Sequence, residues 1–381
     1  MRIVFVINTD CLDYDERVRK EAVTLLALGH EIQIIAMENE NLNVSGITHY
    51  GIPYTSISII TRKLFRQAQH IYIKAFEMHV KFILQLLKTN WDVLWVHEHS
   101  SAGILFYGWF IKVLKKDKKL VWNQHELALD SWIDSRIYRW IINKCDAVIH
   151  ANQERASYLG RKYQEISPKL QYVINNYPSD SFISEPKHVQ SEKLIAWSKG
   201  RKYCLFQGGA VAHRKIFECV EAVHSSLCPL LVIMGPCGVE VLTELQRRWP
   251  DYKEWVYITG WIDPNLFNKF IDNSMLSLVF YQNIDNNHWL AAPNRFYHAI
   301  IRDIPVVCGP NPTMRNIIEK HDVGVTCEHN GEDILEISSA IDKIVLDIDH
   351  YVSSSYICKS EFTWESQIDE YVRIIDSIET D

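Results

Sequence analysis

No Cys-x-x-Cys pair occurs among the nine cysteines, which lie scattered as Cys11, Cys145, Cys204, Cys219, Cys228, Cys237, Cys308, Cys327 and Cys358. Several of these residues, Cys204 and Cys308 among them, sit inside apolar runs and read as small buried hydrophobes of a protein kept in a reducing cytoplasm. No signal peptide precedes the first apolar run, and no run reaches the roughly 18 to 20 residues that span a bilayer. The turn after the first strand, NTDCLDYDERV, lacks the G-x-G-x-x-G that lets backbone approach a dinucleotide pyrophosphate, which disfavours NAD binding. No nucleic-acid recognition motif accompanies the net charge of −7, so no nucleic-acid partner is expected.

What is present is ample apolar content, 47% of 381 residues, in a chain longer than one core usually supports; two domains are expected. Charge is uneven. Residues 61 to 120 hold 11 Lys/Arg against 4 Asp/Glu, although the whole chain is acidic. Within that region TRKLFRQAQHIYIKAFEMHVKFILQLLKTN mixes basic, aromatic and aliphatic residues at helical spacing. It reads equally as a helix resting on an anionic membrane surface and as one packed on a sheet with its cations in water.

The apolar run Arg2 to Ile7 has the continuity of a strand buried on both faces of a parallel sheet. A helix capped by Asp13 or Asp15 follows, with Val18, Ala22, Leu25, Leu26 and Leu28 on one face and Gly29 at its stop, before a strand from Glu31 to Met37. Further strands are expected at DVLWVH, KLVWNQ, DAVIHA and QYVINN, and a second series at YCLFQGG, LLVIMG, VYITGW, MLSLVFY and IPVVCG. Between the series, prolines, serines and charges from Tyr177 to about Gly200 break the periodicity and suggest a linker.

Ligands of such sheets bind beyond the carboxyl ends of the strands, which gathers His97, Glu98, His99, His125 and Glu126 in one candidate crevice, with Asp15 and Arg17 at the start of the first helix. Imidazole and carboxylate together can orient or deprotonate a hydroxyl near neutral pH. Ligand spacing alone is weak evidence for a metal there. In the second half Gly208 and Gly209 lead to Arg214 and Lys215, a pair able to neutralise a diphosphate without a metal, and Gly235 and Gly260 end strands where backbone can meet a ligand. The stretch NNHWLAAPNRFYHAIIRDIPVVCG, Asn286 to Gly309, places Asn-rich polar groups before a helix with Pro293 in its first turn, where free N–H groups favour an anion or sugar; an ordinary capped helix fits the same spacing.

Taken in order, DERVRKEAVTLLALGHEI, DVLWVHEH, LVWNQHE, CDAVIHANQERASYL, LFQGG with HRK, LLVIMG, VYITGW, NNHWLAAPNRFYHAI with IPVV, and FTWESQIDEYVRII resemble a glycosyltransferase of the GT-B fold, similar to family 4, over nearly the whole chain. The pairing of NN with APNR is similar to enzymes of bacterial capsule, O-antigen or exopolysaccharide assembly. The resemblance implies an α/β protein of two Rossmann-like domains facing a central cleft: residues 1–180 binding the acceptor, a linker at 181–200, residues 201–360 binding a nucleotide-sugar donor, and residues 361–381, around Trp364, crossing back as a helix to the first domain. It implies glycosyl transfer with retention to a glycan or polyprenyl- or lipid-linked acceptor, without metal or cofactor, in the cytoplasm or peripherally on an anionic membrane through residues 61–120.

Carried over by position, Arg214 and Lys215 would hold the donor diphosphate, Asn287, Pro293, Asn294 and Arg295 would border sugar and phosphates, and His97 and His125 would lie on the acceptor side. The chain departs from the family where two glutamates eight positions apart are usual: Leu290 and His298 stand there instead. Imidazole can still hydrogen-bond a ribose hydroxyl. Two rival functions remain open at this point, a nucleotide-sugar epimerase of the same fold and a non-catalytic sugar-nucleotide-binding protein.

Overall fold

A computed structural model describes residues 1–65, 69–162, 171–187 and 191–380. The chain forms two compact units, Met1–Asn175 with Gln367–Asp381, and Asn176–Ser366.

The first unit holds an eight-stranded sheet of β1 (Arg2–Asn8), β2 (Glu31–Met37), β3 (Val44–Ile47), β4 (Pro53–Ser56), β5 (Val93–His97), β6 (Lys119–Gln124), β7 (Ala147–His150) and β8 (Gln171–Val173). Its order is β3-β4-β2-β1-β5-β6-β7-β8, parallel except for the antiparallel β3. Ile3 to Ile7 of β1 are all at most 1% exposed, as a strand covered on both faces requires. Helix Glu16–Ala27 follows with Asp15 as its cap, the carboxylate accepting from the Val18 N–H at 3.2 Å. Val18, Ala22 and Leu25 bury against the sheet, whereas Leu26, expected on that face, is 46% exposed because it falls a quarter turn outside the stripe. The basic segment forms a short helix, Thr61–Leu64, and a longer one, Ile71–Leu86.

Helix Ile368–Thr380 completes this unit, burying Tyr371, Ile374, Ile375 and Ile378 and stacking Tyr371 on Trp95 of β5 at 6.5 Å. Gln367 fixes its start, Oε1 accepting from the Asn175 N–H at 2.7 Å and Nε2 donating to the Asn175 carbonyl at 2.9 Å. Trp364 lies just before that return, within the second unit, where its N–H donates to Pro178 O.

The second unit is built on a six-stranded parallel sheet: β9 (Tyr203–Gln207), β10 (Leu231–Met234), β11 (Val256–Ile258), β12 (Ser274–Val279), β13 (Val306–Cys308) and β14 (Gly324–Thr326), in the order β11-β10-β9-β12-β13-β14. Residues expected as a linker instead carry helices Asp180–Ser184 and Glu192–Ser198 and belong to this unit. Their anchor is Arg302, 1% exposed, which grips Asp272 with both Nε and Nη2 at 2.7 Å and donates through Nη1 to the Phe182 and Glu185 carbonyls. The Asn-rich stretch divides into a one-turn helix, Asn286–Trp289, and helix Asn294–Ile301, with Pro293 one step earlier than expected, as its extended N-cap.

Candidate functional site

Among the parallel strands of each sheet the order reverses once, and beyond the carboxyl ends at such a point an open α/β sheet leaves room for a ligand. In the second unit the reversal lies between β9 and β12. Arg295 spans it. Its Nη1 donates to the Gln207 carbonyl at 2.8 Å and its Nη2 to the Phe280 carbonyl at 3.0 Å, while the guanidinium lies 4.8 Å from the Tyr281 ring centroid. Only 5% exposed, it has its pKa pushed down to about 10 by burial and by Arg214, and it remains a cation at neutral pH. Arg214 stacks on the same Tyr281 at 5.7 Å and donates to the Gly209 carbonyl at 3.3 Å. Two like charges therefore share one ring, an arrangement that favours an anion beside them.

The turn that makes this possible needs glycine at two positions. Gly208, at φ +105°, would bring a Cβ to 2.8 Å from Arg214 Nη1, and at Gly235 a Cβ would stand 2.5 Å from the Gly208 carbonyl oxygen. Gly209 has no such crowding, and Gly260, at φ +71°, borders a hollow of about 500 Å³ with Cys237, Thr259 and Lys253. Lys215 differs from expectation in its engagement. Its Nζ lies 3.3 Å from Glu332 Oε1 and 4.0 Å from Glu218 Oε1, so its charge is already shared. Asn287 is half-buried in the one-turn helix capped by Asp285, and Asn294 is exposed. His298 receives the Gln207 Nε2–H at Nδ1, 3.0 Å away, and stacks on Phe182 at 4.7 Å and 19°. Leu290 is buried.

In the first unit the order reverses between β1 and β5. A polar hollow of about 380 Å³ opens there, bordered by Thr9, Asp10, Asp15, Glu98, His125 and Glu126 among others. Glu98, directly after β5, adopts φ +61°, a left-handed conformation uncommon for a residue with a side chain. Its Oε1 lies 3.1 Å from His125 Nδ1, and His125 Nε2 lies 3.0 Å from His97 Nδ1. With the Glu98 carboxylate accepting from Nδ1–H, His125 Nε2 is an acceptor and His97 Nδ1–H its donor. Burial, with the Arg17 charge, pushes the pKa of His125 down to about 3, and burial holds His97 well below its ordinary value, so both are neutral at physiological pH. Burial likewise raises the carboxyls of Glu98 and Glu21.

His97 and Arg17 therefore act from beneath the hollow, a placement that the strand-end position alone does not reveal. His97 is fully buried, and Arg17 donates through Nε to Glu21 Oε1 at 2.9 Å and through Nη2 to Asn123 Oδ1 at 3.2 Å. Glu21 and Asn123, absent from the sequence-based set, complete this layer, Asn123 Nδ2 meeting both Glu21 oxygens at 2.7 Å. Glu21, His97 and His125 each offer a ligand atom within 4.8 Å of the others. Arg17 already neutralises Glu21, and a divalent ion would sit beside that fixed cation. His99 is turned away from this layer and borders a second hollow of about 910 Å³, together with Asn39, Arg62, Lys63, Lys74 and Met78. No helix among the described residues is long and apolar enough to cross a membrane.

No protein-family model matches the sequence, and no curated protein sequence does. Solved structures do match. Sucrose-phosphate synthase from Thermosynechococcus elongatus superposes with a TM-score of 0.73 at 12% identity, covering 100% of this chain and 99% of that one. Anabaena HepE in complex with UDP and glucose gives 0.69 at 12% identity, covering 99% and 100%. WaaG, a glycosyltransferase involved in lipopolysaccharide biosynthesis, gives 0.64 at 12% identity, covering 99% of each chain. At this identity the likeness is one of fold: two Rossmann-like α/β domains with the GT-B architecture.

Proposed function

We propose that the protein is a glycosyltransferase that moves a sugar from a nucleotide-sugar donor held by the second unit to a hydroxyl of an acceptor held by the first. The observation that carries this reading is the pair Arg214 and Arg295 over Tyr281 at the reversal point of the second sheet, beside the Gly208 turn. In the reaction the acceptor oxygen bonds to the anomeric carbon, the bond from that carbon to the donor diphosphate breaks, and the nucleoside diphosphate leaves. Negative charge grows on its β-phosphate, where Arg214 and the N–H groups of the turn are aimed to help most; Lys215 contributes after shedding Glu332. Arg295 holds the strands that present them. Asn287, Asn294 and His298 face the sugar and ribose, and the hollow at Gly260 receives the base. At the acceptor, Asp15, Glu98, His125 and Glu126 surround the attacking hydroxyl, and His97 with Arg17 orients His125. The hydroxyl proton passes to the departing phosphate or to a carboxylate of this group.

By resemblance the transfer is retaining and metal-independent and serves surface polysaccharide assembly. The protein would work in the cytoplasm against an anionic membrane. On helix Ile71–Leu86 and the residue after it, Ile73, Phe76, Val80, Leu84 and Leu87 form an exposed apolar stripe, and Lys74, Lys81 and Lys88, seven residues apart, run along one side of it. A non-catalytic nucleotide-sugar-binding role has one observation in its favour, the substitution of both usual carboxylates by the buried Leu290 and by His298.

The test is a thermal-shift screen against UDP, GDP, CMP, dTDP and ADP, followed by turnover of the matching nucleotide sugar. Arg214→Ala should abolish the nucleotide shift and lower turnover by a factor of order 100 or more. An unchanged rate refutes the assigned role. Binding without donor hydrolysis or transfer establishes the non-catalytic reading instead.

A further inference from the structure

Two imidazoles border the cations of the second unit. His288 lies in the one-turn helix Asn286–Trp289, and His213 directly precedes Arg214. Their rings are 6.0 Å apart and meet at 80°. The His288 ring is also 6.1 Å from that of Tyr281, on which Arg214 and Arg295 both rest. His288 is held from two elements. Asp285 Oδ1 caps the turn by accepting from the His288 backbone N–H at 2.8 Å, and it accepts from the ring Nδ1–H at the same distance. Asn311, fully buried as the N-cap of helix Pro312–His321, donates through Nδ2 to the His288 and Trp289 carbonyls at 3.1 and 3.2 Å.

The Asp285 contact decides what the other ring nitrogen can do. A carboxylate only accepts, so Nδ1 carries a hydrogen, and in the neutral ring Nε2 is then an acceptor. Nε2 has no protein partner among the described residues, and 28% of the side chain is exposed. A phosphate oxygen also only accepts, so Nε2 can serve it only after gaining a proton; the imidazolium then donates to Asp285 from one nitrogen and to the anion from the other. Arg214 and Arg295 oppose that extra charge and Asp285 favours it, and a diphosphate arriving among them tips the balance toward uptake. Burial pushes the Asp285 carboxyl up, but hydrogen bonds from the backbone and ring of His288 outweigh it and hold the group below its ordinary range, as an ionised partner requires. His213 is less suited to the part: burial lowers its pKa, and Arg214, His288 and Arg295 add to that.

We propose that His288 binds the leaving diphosphate as an imidazolium, taking a proton from solvent as the anion arrives and returning it when the anion leaves. This deepens the transferase reading by adding a proton-linked contact to the anion site of Arg214. Diphosphate affinity should therefore strengthen as pH falls from 8 to 6, where an imidazole gains its charge.

Inorganic pyrophosphate is the probe, because it carries the diphosphate without base or sugar, titrated into the protein by calorimetry at pH 6, 7 and 8. Its own protonation is common to every variant, so parent-to-variant ratios isolate the protein. His288→Gln should weaken it about tenfold at pH 6 and less than about twofold at pH 8, the size expected for one hydrogen bond to a charged group at a partly exposed position. In two buffers of unlike ionisation enthalpy at pH 7, the parent should take up more protons per anion than this variant. Asp285→Asn keeps an acceptor for Nδ1–H without its charge and should move the strengthening to lower pH. His213→Gln should retain the pH dependence, and Arg214→Ala should weaken pyrophosphate at every pH. Circular dichroism and urea unfolding report that each variant is folded. A ratio of parent to His288→Gln that does not change with pH, a pH dependence lost in His213→Gln instead, or no pyrophosphate binding to the folded parent each overturns the assignment. Turnover of a nucleotide sugar alongside a flat ratio loses the His288 contact and keeps the transferase reading. Proton uptake that depends on His288, in a protein that never transfers or hydrolyses a nucleotide sugar, does the reverse.

Discussion

Replacing Arg295 by methionine should separate a residue that braces the β9/β12 reversal from one that, on the proposed function, touches the nucleotide. Arg295 ties the ends of β9 and β12 together through two bonds from a buried cation to the Gln207 and Phe280 carbonyls. Bonds to charged groups are worth about 1.5–3 kcal/mol each, and neither carbonyl gains a new partner from methionine. Against that loss, the thioether fills much of the volume and the cost of burying a cation next to Arg214 disappears, which returns about 1–2 kcal/mol. A net destabilisation of about 2–4 kcal/mol is expected in urea unfolding. Hydrogen exchange at the amides of β9 and β12 would assign it to this sheet. Arg214→Ala, which deletes a half-buried side chain with one long hydrogen bond at 3.3 Å, should cost under about 1 kcal/mol. The two variants should thus invert: Arg295→Met loses stability first, and Arg214→Ala loses nucleotide response and turnover with the fold intact. Loss of less than 1 kcal/mol in Arg295→Met, with protection of β9 and β12 unchanged, refutes the bracing role.

Two further outcomes follow from buried charge. Arg302→Met should leave the Asp272 carboxylate, 1% exposed, without its bidentate partner and with Lys187 Nζ at 3.9 Å as a weaker one, and cost about 2–4 kcal/mol, with part of it restored by adding Asp272→Leu; limited proteolysis between Asp180 and Lys187 should rise in the single variant, and no change there would show that the ion pair does not anchor that segment. His150, 1% exposed at the end of β7, has its pKa pushed down to about 4 by burial, so the folded state holds it neutral while the unfolded chain takes up a proton below about pH 6.5. Stability from this group is therefore lost as pH falls, and His150→Gln should be less acid-sensitive than the parent by about 2 kcal/mol between pH 7 and pH 5 in denaturant titrations; parallel pH profiles would overturn it.

Fold was legible in the sequence where burial on both faces leaves an unmistakable run. Ile3 to Ile7, Val93 to His97 and Leu231 to Met234 are each continuous and each fully covered. The strands β3 and β4 escaped notice because they are four residues long and β3 is exposed throughout, so no hydrophobic pattern marks them. In the site, Gly208 and Arg214 could be read because a glycine at a strand end followed by cations has a local meaning. The inward roles of His97 and Arg17 could not. They depend on Asn123 and Glu21, which meet across 102 positions of chain, and no local spacing encodes that encounter. The basic segment was ambiguous between membrane and core for a physical reason: helix Ile71–Leu86 buries Met78, Phe82 and Leu86 on one face and exposes Ile73, Phe76, Val80 and Leu84 on another, so both readings describe part of it.

Leu290 and His298 affect the electrostatics at the β9/β12 reversal more than its shape. Leu290 turns into the protein, and His298 sits where Gln207 and Phe182 fix its ring, so neither position supplies a negative charge beside the cations. The groups that act on the Arg295 charge are Tyr281, Arg214 and Cys219, with no carboxylate among them. An anion arriving beside Arg214 and Arg295 meets two cations that repel one another across Tyr281, and that repulsion is relieved when it binds. On the proposed function, this favours recognition of the diphosphate over that of the ribose. Affinity in this protein should therefore rest more on the diphosphate than on the sugar hydroxyls, and nucleoside diphosphates should outcompete nucleosides by a wider margin than a site with an intervening carboxylate would allow.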